Sequence, residues 1–218
     1  MAKSKRDGPE SRRRILAAAE HVFAAKGFDG ARVDEIARQA GVNKALIYHY
    51  FKSKKEILRI LLADFIARML ERTKTSAENL EHLLSAESAH DDLRAALEFL
   101  EGHANILRIM MMESVKKTER APLVFKTLDA SVAMYQGARA KDILKELRRK
   151  GIRIEDDIRR VLVNEFFTKS LPVIFFVLFH EAWCEHFGVR EKDLKEWFIR
   201  AVEATHLAYH RSSKEAIP

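Results

Sequence analysis

Apolar residues recur at three- and four-residue spacing along most of this chain, and no stretch alternates as a half-buried strand would. Ile15, Leu16, Ala19, Val22 and Phe23 form the first stripe. It runs from Pro9, suited to a first helical turn, to Gly27, a stop just after Lys26. Residues 1–8, basic and polar, read as a disordered lead-in. A second long stripe starts after a Ser53 cap, through Ile57, Leu58, Leu61, Leu62, Phe65, Ile66, Met69 and Leu70, with no breaker before about Ser76. Further helices are expected from Asp91 or Asp92 through Met111 with a kink at Gly102, from Pro122 to about Lys150, from Glu155 or Asp156 to Phe187, and from Glu191 to His210. Pro172 should bend the third of these segments, because it lacks an amide proton and its ring meets the carbonyl four residues back. The expectation is an all-α protein without repeats.

Between the first two stripes the pattern tightens. In Arg32 to Phe51, RVDEIARQAGVNKALIYHYF, Ile36 and Ala37 are the inward positions of a short helix whose wet face carries Asp34, Glu35, Arg38 and Gln39. Gly41 can take the positive φ that a tight turn between crossing helices demands. Val42 plugs that turn, and Asn43 is a strong N-cap type, so a new helix should begin there. In it Leu46, Ile47, Tyr50 and Phe51 can face inward, leaving Lys44, Ala45, Tyr48 and His49 outside. This is the layout of a helix-turn-helix, whose second helix enters the major groove of DNA. A helical hairpin of any other use would share the spacing.

Charge separates these alternatives. Of the net +7, residues 1–60 carry all: 14 Lys and Arg against 7 Asp and Glu, while the remaining residues hold 25 of each sign. A surplus confined to the segment with the helix-turn-helix suits a surface that neutralises phosphates. A basic tail for solubility or acidic membranes is the competing use. The length, 218 residues, suits one medium or two small domains. One cysteine, Cys184, excludes an internal disulfide and suits a reducing cytoplasm. The N-terminus lacks the apolar stretch of a secretory signal, and the most apolar run, Leu171 to Phe179, is about half a membrane span. A soluble, cytoplasmic protein is expected.

The N-terminal helix, the segment VDEIARQAGVNKALIYHYFKSKKEIL and the long helix after it resemble the TetR family of bacterial transcriptional regulators. The likeness covers roughly residues 11–60, about a quarter of the chain. Positions often Thr, Ser and Gly in that pattern are here Arg32, Asn43 and Ala45. The resemblance implies a helix-turn-helix DNA-binding domain over 1–52 and a helical ligand-binding and dimerisation domain over 53–218. It further implies a homodimer on a DNA operator, released when a small molecule binds the second domain.

Lys44 and His49 are the residues expected at base edges or phosphates, since Lys donates to guanine acceptors and neutral His donates or accepts. Tyr48, by the family pattern, contacts a phosphate. Ala45 leaves room for close approach. Asn43 caps the recognition helix at the same surface. Lys54 and Arg32 stand where helix N-termini and positive side chains can jointly hold phosphates. Arg12, Arg13 and Lys5 could reach a backbone, or simply be solvated. Phe65, Met69, Phe99, His103, Met110, Met111, Phe125, Tyr135 and Phe166 could line a ligand pocket, with His103 or Tyr135 as polar anchor; core packing is the plainer use for each. The apolar population of the last two helices, including Leu162, Phe166, Val173, Phe176, Trp183, Trp197, Val202 and Leu207, is expected to form a dimer-making four-helix bundle.

Catalytic and metal roles find little support. Cys184 follows His180 by four residues and His206 precedes His210 by four, but no further ligands are placed, and no phosphate loop or nucleophile elbow occurs. No cofactor is expected. The function expected is a ligand-responsive regulator, most simply a repressor, binding a pseudo-palindromic operator as a homodimer and answering to an apolar or amphipathic effector. The alternative is a helical ligand-binding or scaffold protein whose head recognises no specific DNA.

Overall fold

The computed structural model describes residues 7–77, 86–116, 122–128 and 158–207, with isolated positions at 142, 145 and 149. Among these residues all regular structure is helical. The chain forms two compact units: Met1–Arg68 with Asn105–Val124, and Met69–Ala104 with Phe125–Pro218.

In the first unit, α1 spans Asp7–Gly30, α2 Val33–Ala40, α3 Lys44–Tyr50, and α4, Lys54–Ala77, begins here. α1 buries Ile15, Ala18, Ala19, Val22 and Phe23. Gly27 interrupts it with φ 69°, ψ 168°, so the expected stop is a break followed by one further short turn. α2 buries Ile36, Ala37 and Ala40; α3 buries Ile47, and Phe51 just after it is also buried. A fully buried side chain of this size contributes about 1.5–3 kcal/mol, so these few residues hold a small three-helix core together. The expected cap of α4 is present: Ser53 Oγ accepts from Glu56 N–H at 3.2 Å, and Glu56 reaches back to Lys52 N–H at 2.6 Å. Together these satisfy two amide groups at the helix entry. Most of α6, Ala104–Ser114, belongs to this unit and buries Ile106, Leu107, Ile109 and Met110.

The second unit contains α5, Ala86–Glu101, then α7, Ile158–Asn164, α8, Leu171–Phe187, and α9, Glu191–Val202. Two expected boundaries move. α5 starts at Ala86 rather than at Asp91 or Asp92, since AESAH contains no breaker. At Gly102 the chain turns, with His103 N–H on Leu100 O at 3.0 Å, and α6 restarts at Ala104, so two helices stand where one kinked helix was expected. Leu123–Phe125 after Pro122 is a 3₁₀ turn. Most of the helix expected from there to Lys150, with Tyr135, lies outside the described residues, as do the N-terminal tail with Lys5 and His210.

Pro172 does disturb its helix, in an identifiable way. Glu165–Ser170 form a π-helical turn between α7 and α8, closed by Leu171 N–H on Phe166 O. A wider turn just before Pro172 accommodates a residue with no amide proton. A second π turn, Glu203–Leu207, follows α9. The helical run Leu162–Phe187 is, by length and composition alone, long enough to cross a membrane, more than the nine-residue apolar core had suggested. One of its faces is committed to the unit's core, with Val173, Ile174, Phe176 and Val177 buried and the Phe176 ring stacked 4.2 Å from Phe198 of α9. Polar contacts tie α5 to α9 and the turn after it: Lys195 to Glu101 at 2.8 Å, Arg94 to Glu196 at 3.1 Å, and His90 to Glu203 at 2.9 Å.

Burial also re-sorts the expected dimer residues. Phe166, Val173, Phe176 and Val202 are core residues of the subunit itself, Val202 only 4% exposed. Val173, Phe176 and Val202 lie on the stripes that α8 and α9 bury within the unit, and Phe166 lies in the π turn before α8, so burial commits these four to the subunit's own core. Trp183 and Trp197 of the expected set are exposed, Trp197 at 57%, and Phe175, Phe179 and Phe187 along α8, which were not in that set, are exposed with them.

Candidate nucleic-acid interface

The turn between α2 and α3 is built by three local devices. Gly41 adopts φ 64°, ψ 40°, the left-handed conformation glycine takes without cost. Val42 N–H then closes on Ala37 O at 3.0 Å and Gly41 N–H on Arg38 O at 3.2 Å, a Schellman ending that satisfies the last carbonyls of α2. Asn43 Oδ1 accepts from Leu46 N–H at 2.8 Å and starts α3.

A fourth device lies outside the motif. Arg14 of α1 donates from Nε to Ala40 O at 3.0 Å and from Nη2 to Gly41 O at 2.9 Å, with a further contact from Nη2 to Ala40 O. Its guanidinium thus takes up carbonyls at the negative end of α2 and fixes the turn against α1. Sequence reading assigned Arg14 no role; it stands in a run of three arginines with nothing to mark the inward one. Its neighbours differ: Arg13 pairs with Glu10 at 2.7 Å, and the Arg12 guanidinium lies 5.5 Å from the Phe51 ring centre.

With the turn fixed, Lys44, Ala45, Tyr48 and His49 are all exposed on one side of α3, Tyr48 at 51%, while Leu46 and Tyr50 are half-buried. Arg32 is the N-cap residue of α2, extended and exposed, with no capping bond from its side chain. The Lys44 ammonium is not isolated: it sits between both carboxylate oxygens of Asp34 on α2, at 2.9 and 3.0 Å. The hydrogen bond to Asp34 raises the Lys44 pKa above its ordinary value.

Lys54 is placed differently from expectation. Its ammonium donates inward to Phe28 O at 2.6 Å and Ala31 O at 2.9 Å, and lies 4.5 Å from the Phe28 ring centre. It therefore clamps the α1–α2 junction. The same junction is held by α6 and the residue pair after it: Glu113 accepts from Phe28 N–H at 3.2 Å, and Lys116 bridges Glu113 and Asp29 at 2.6 Å each. Lys116 holds the Asp29 carboxyl below its ordinary value.

Of the nine residues expected at a ligand pocket, Tyr135 lies outside the described residues and the other eight are divided between the two units. The first unit holds Phe65, Met110 and Met111, the first two only 1% exposed. The second unit holds Met69, Phe99, His103, Phe125 and Phe166. There the Phe99 and His103 rings lie tilted with centres 4.4 Å apart, and Phe125 meets Phe166 edge-on at 5.3 Å. Sequence reading missed the buried polar group of the same unit, Asn164, Glu165 and His206, with Thr168 Oγ1 2.7 Å from His206 Nδ1. The pair His180 and Cys184 gathers no further ligands; among the described residues no group of three or more His, Cys, Asp or Glu could hold a metal ion.

Three helices crossing around a Schellman turn, with an exposed recognition face and a basic head, define a helix-turn-helix DNA-binding regulator. The family model for bacterial regulatory proteins of the tetR family matches residues 15–61. The chain is 38% identical over 94 residues to the HTH-type transcriptional regulator YdgC of Bacillus subtilis (strain 168), covering 43% of this chain and only 47% of that protein. It is 30% identical over 157 residues to the fatty acid metabolism regulator protein of the same organism, covering 56% of this chain and 81% of that protein. The crystal structure of the Bacillus subtilis regulator FadR with stearoyl-CoA has the same fold, with TM-score 0.57 and 21% identity over 91% of this chain and 97% of that one. The chain belongs to the TetR family of bacterial transcriptional regulators, a family of regulators and not of enzymes.

Proposed function

We propose that this regulator is a cytoplasmic repressor that binds a pseudo-palindromic operator as a homodimer and leaves it when an amphipathic small molecule binds its C-terminal helices. The observation that carries the DNA half is the α3 surface, where Lys44, Ala45, Tyr48 and His49 stand exposed together on a helix fixed by the Gly41 turn. Arg32, Asn43 and the N-terminus of α4 at Lys54 complete the phosphate-facing rim. Dimerisation is supported by α8, whose exposed Phe175, Phe179, Trp183 and Phe187 repeat every four residues, and by exposed Trp197 on α9. A ridge with four-residue period suits packing against the same helix of a second copy. Two-fold symmetry then sets the recognition helices about one DNA turn, roughly 34–36 Å, apart.

A long-chain acyl thioester is the effector to test first. One relative is named as a fatty acid metabolism regulator, and a protein of the same fold holds stearoyl-CoA. Aromatic and methionine side chains such as Phe99, Phe125 and Phe166 suit the acyl chain, methionine by its adaptability; His103 and Tyr135 are the candidate polar anchors. Selection from a randomised duplex pool, followed by anisotropy titration of the enriched DNA with and without stearoyl-CoA, tests both halves. An enriched inverted repeat bound more weakly with the thioester is expected, and Tyr48→Phe or His49→Ala should weaken that binding by about 1–3 kcal/mol. A pool with no enriched sequence would return the chain to the scaffold alternative.

A further inference from the structure

The geometry points to a composite base-reading unit, Asp34 of α2 with Lys44 of α3, that recognises one G·C pair in each operator half-site; this rests on the DNA-binding function proposed above. The two side chains come from different helices, ten residues apart in sequence, and are both exposed on the α3 recognition side. They meet with Nζ to Oδ distances of 2.9 and 3.0 Å. An ammonium beside a carboxylate at that distance is a donor and an acceptor side by side. In the major groove a G·C pair shows the complementary set: guanine O6, an acceptor, next to cytosine N4–H, a donor. Those two groups are themselves joined by an N–H···O bond, hence about 2.9 Å apart, the spacing of the Lys44–Asp34 pair.

The proton inventory closes. Lys44 has three protons, one each for Asp34, guanine O6 and guanine N7. Cytosine N4 has two, one used in base pairing and one left for Asp34. The carboxylate has lone pairs enough for both neighbours. A T·A pair offers the same inner acceptor–donor order, through O4 and N6. It replaces N7 by a methyl group on the lysine side and puts adenine N7, an acceptor, against the carboxylate. G·C is therefore favoured over T·A, and C·G and A·T present the order reversed.

The pair's charge points the same way. A lysine already neutralised by Asp34 adds little to counterion release, so its use lies in base discrimination more than in phosphate affinity. The sequence placed Asp34 only on the wet face of α2, because its partner Lys44 stands on the next helix.

Selection from a randomised duplex pool with wild type, Asp34→Ala and Lys44→Met tests the inference, with circular dichroism confirming equal helicity of these surface variants. Wild type is expected to fix a G·C pair at one position per half-site, with about tenfold or greater preference. Both variants should lose that preference at that position alone. The double variant Asp34→Ala/Lys44→Ala should keep the wild-type salt slope. A fixed G·C position that survives Asp34→Ala, or a slope reduced by about one in the double variant, overturns the pairing and leaves Lys44 a phosphate contact. No enriched sequence for wild type overturns the regulator function and this inference with it.

Discussion

Replacing Gly41 by Ala tests how the recognition helix is aimed. The substitution has two separable costs. At φ 64° an L-residue is in the left-handed region, which costs about 1–2 kcal/mol. The new Cβ would also lie 2.8 Å from Arg14 Nη2. That atom ends a flexible side chain, so the guanidinium moves instead of the backbone, and the bonds to Ala40 O and Gly41 O loosen. At this partly exposed site the loosened bonds contribute about 1 kcal/mol, the ordinary net worth of a hydrogen bond and below that of a fully buried charged one. Alanine's smaller unfolded-state entropy returns about 0.4–1 kcal/mol. The net is a loss of roughly 1–2.5 kcal/mol. Urea unfolding of Gly41→Ala, Arg14→Met and the double variant reads it, since the two changes share one contact and should couple by at least about 0.5 kcal/mol. Gly41→Asn separates the two costs, because Asn tolerates the left-handed conformation but still carries a Cβ. Additive single effects, or Gly41→Ala within 0.5 kcal/mol of wild type, would refute the Arg14 clamp.

Operator affinity should fall about a thousandfold or more between 50 and 200 mM salt if two basic heads make roughly six to ten phosphate contacts; titrations at four salt concentrations measure it, and a flat response would remove DNA from the basic face. Stability should fall on acidification: Asp29, Glu35 and Glu196 are held below their ordinary values by hydrogen bonds from Lys116, Lys26 and Arg200 respectively. Carboxyls depressed in the folded state stabilise it above their ordinary values, 3.8 for Asp29 and 4.5 for the glutamates, and that contribution is lost as pH drops through the folded values. Urea midpoints between pH 7 and pH 3 check the sign, and a midpoint rising with acid would reverse it. Phe179→Glu or Trp197→Glu should give folded monomers in sedimentation, whereas Val202→Glu, which buries a charge in the subunit core, should unfold the protein; a folded Val202→Glu monomer would put the interface where the sequence alone had placed it.

The helix-turn-helix was legible because each of its parts is a local rule. A glycine at a positive φ, an asparagine at an N-cap and a serine with glutamate three residues on act within a few residues of chain, and each appears where spacing placed it. Inside and outside on α3 followed from one helical turn. What was not legible is contact at a distance. Arg14 and Lys54 carry the same charge as the arginines and lysines around them; only the crossing of α1 over the turn, and of α4 over residues 28–31, turns these two inward to carbonyls. Asp34 belongs with them, since its partner Lys44 lies across the turn.

The long helix of the second unit shows a different limit. From Val163 through Phe167, Leu171, Phe175, Phe179 and Trp183 to Phe187 every fourth residue is apolar, while Val173, Ile174, Phe176 and Val177 are apolar on another face. When a helix is apolar nearly all round, periodicity no longer says which stripe is core. Sequence reading therefore mixed the two, putting Val173 and Phe176 at the subunit boundary with Trp183. Tertiary packing separates them: α8 packs against α5 and α9, with Phe198 of α9 on Phe176. Val173 and Phe176 are buried, and Phe175, Phe179, Trp183 and Phe187 are left outside with Trp197. Contiguous exposed apolar rows of this kind mark interaction surfaces. A second copy of α8 would remove this one from solvent while the core below stays as it is.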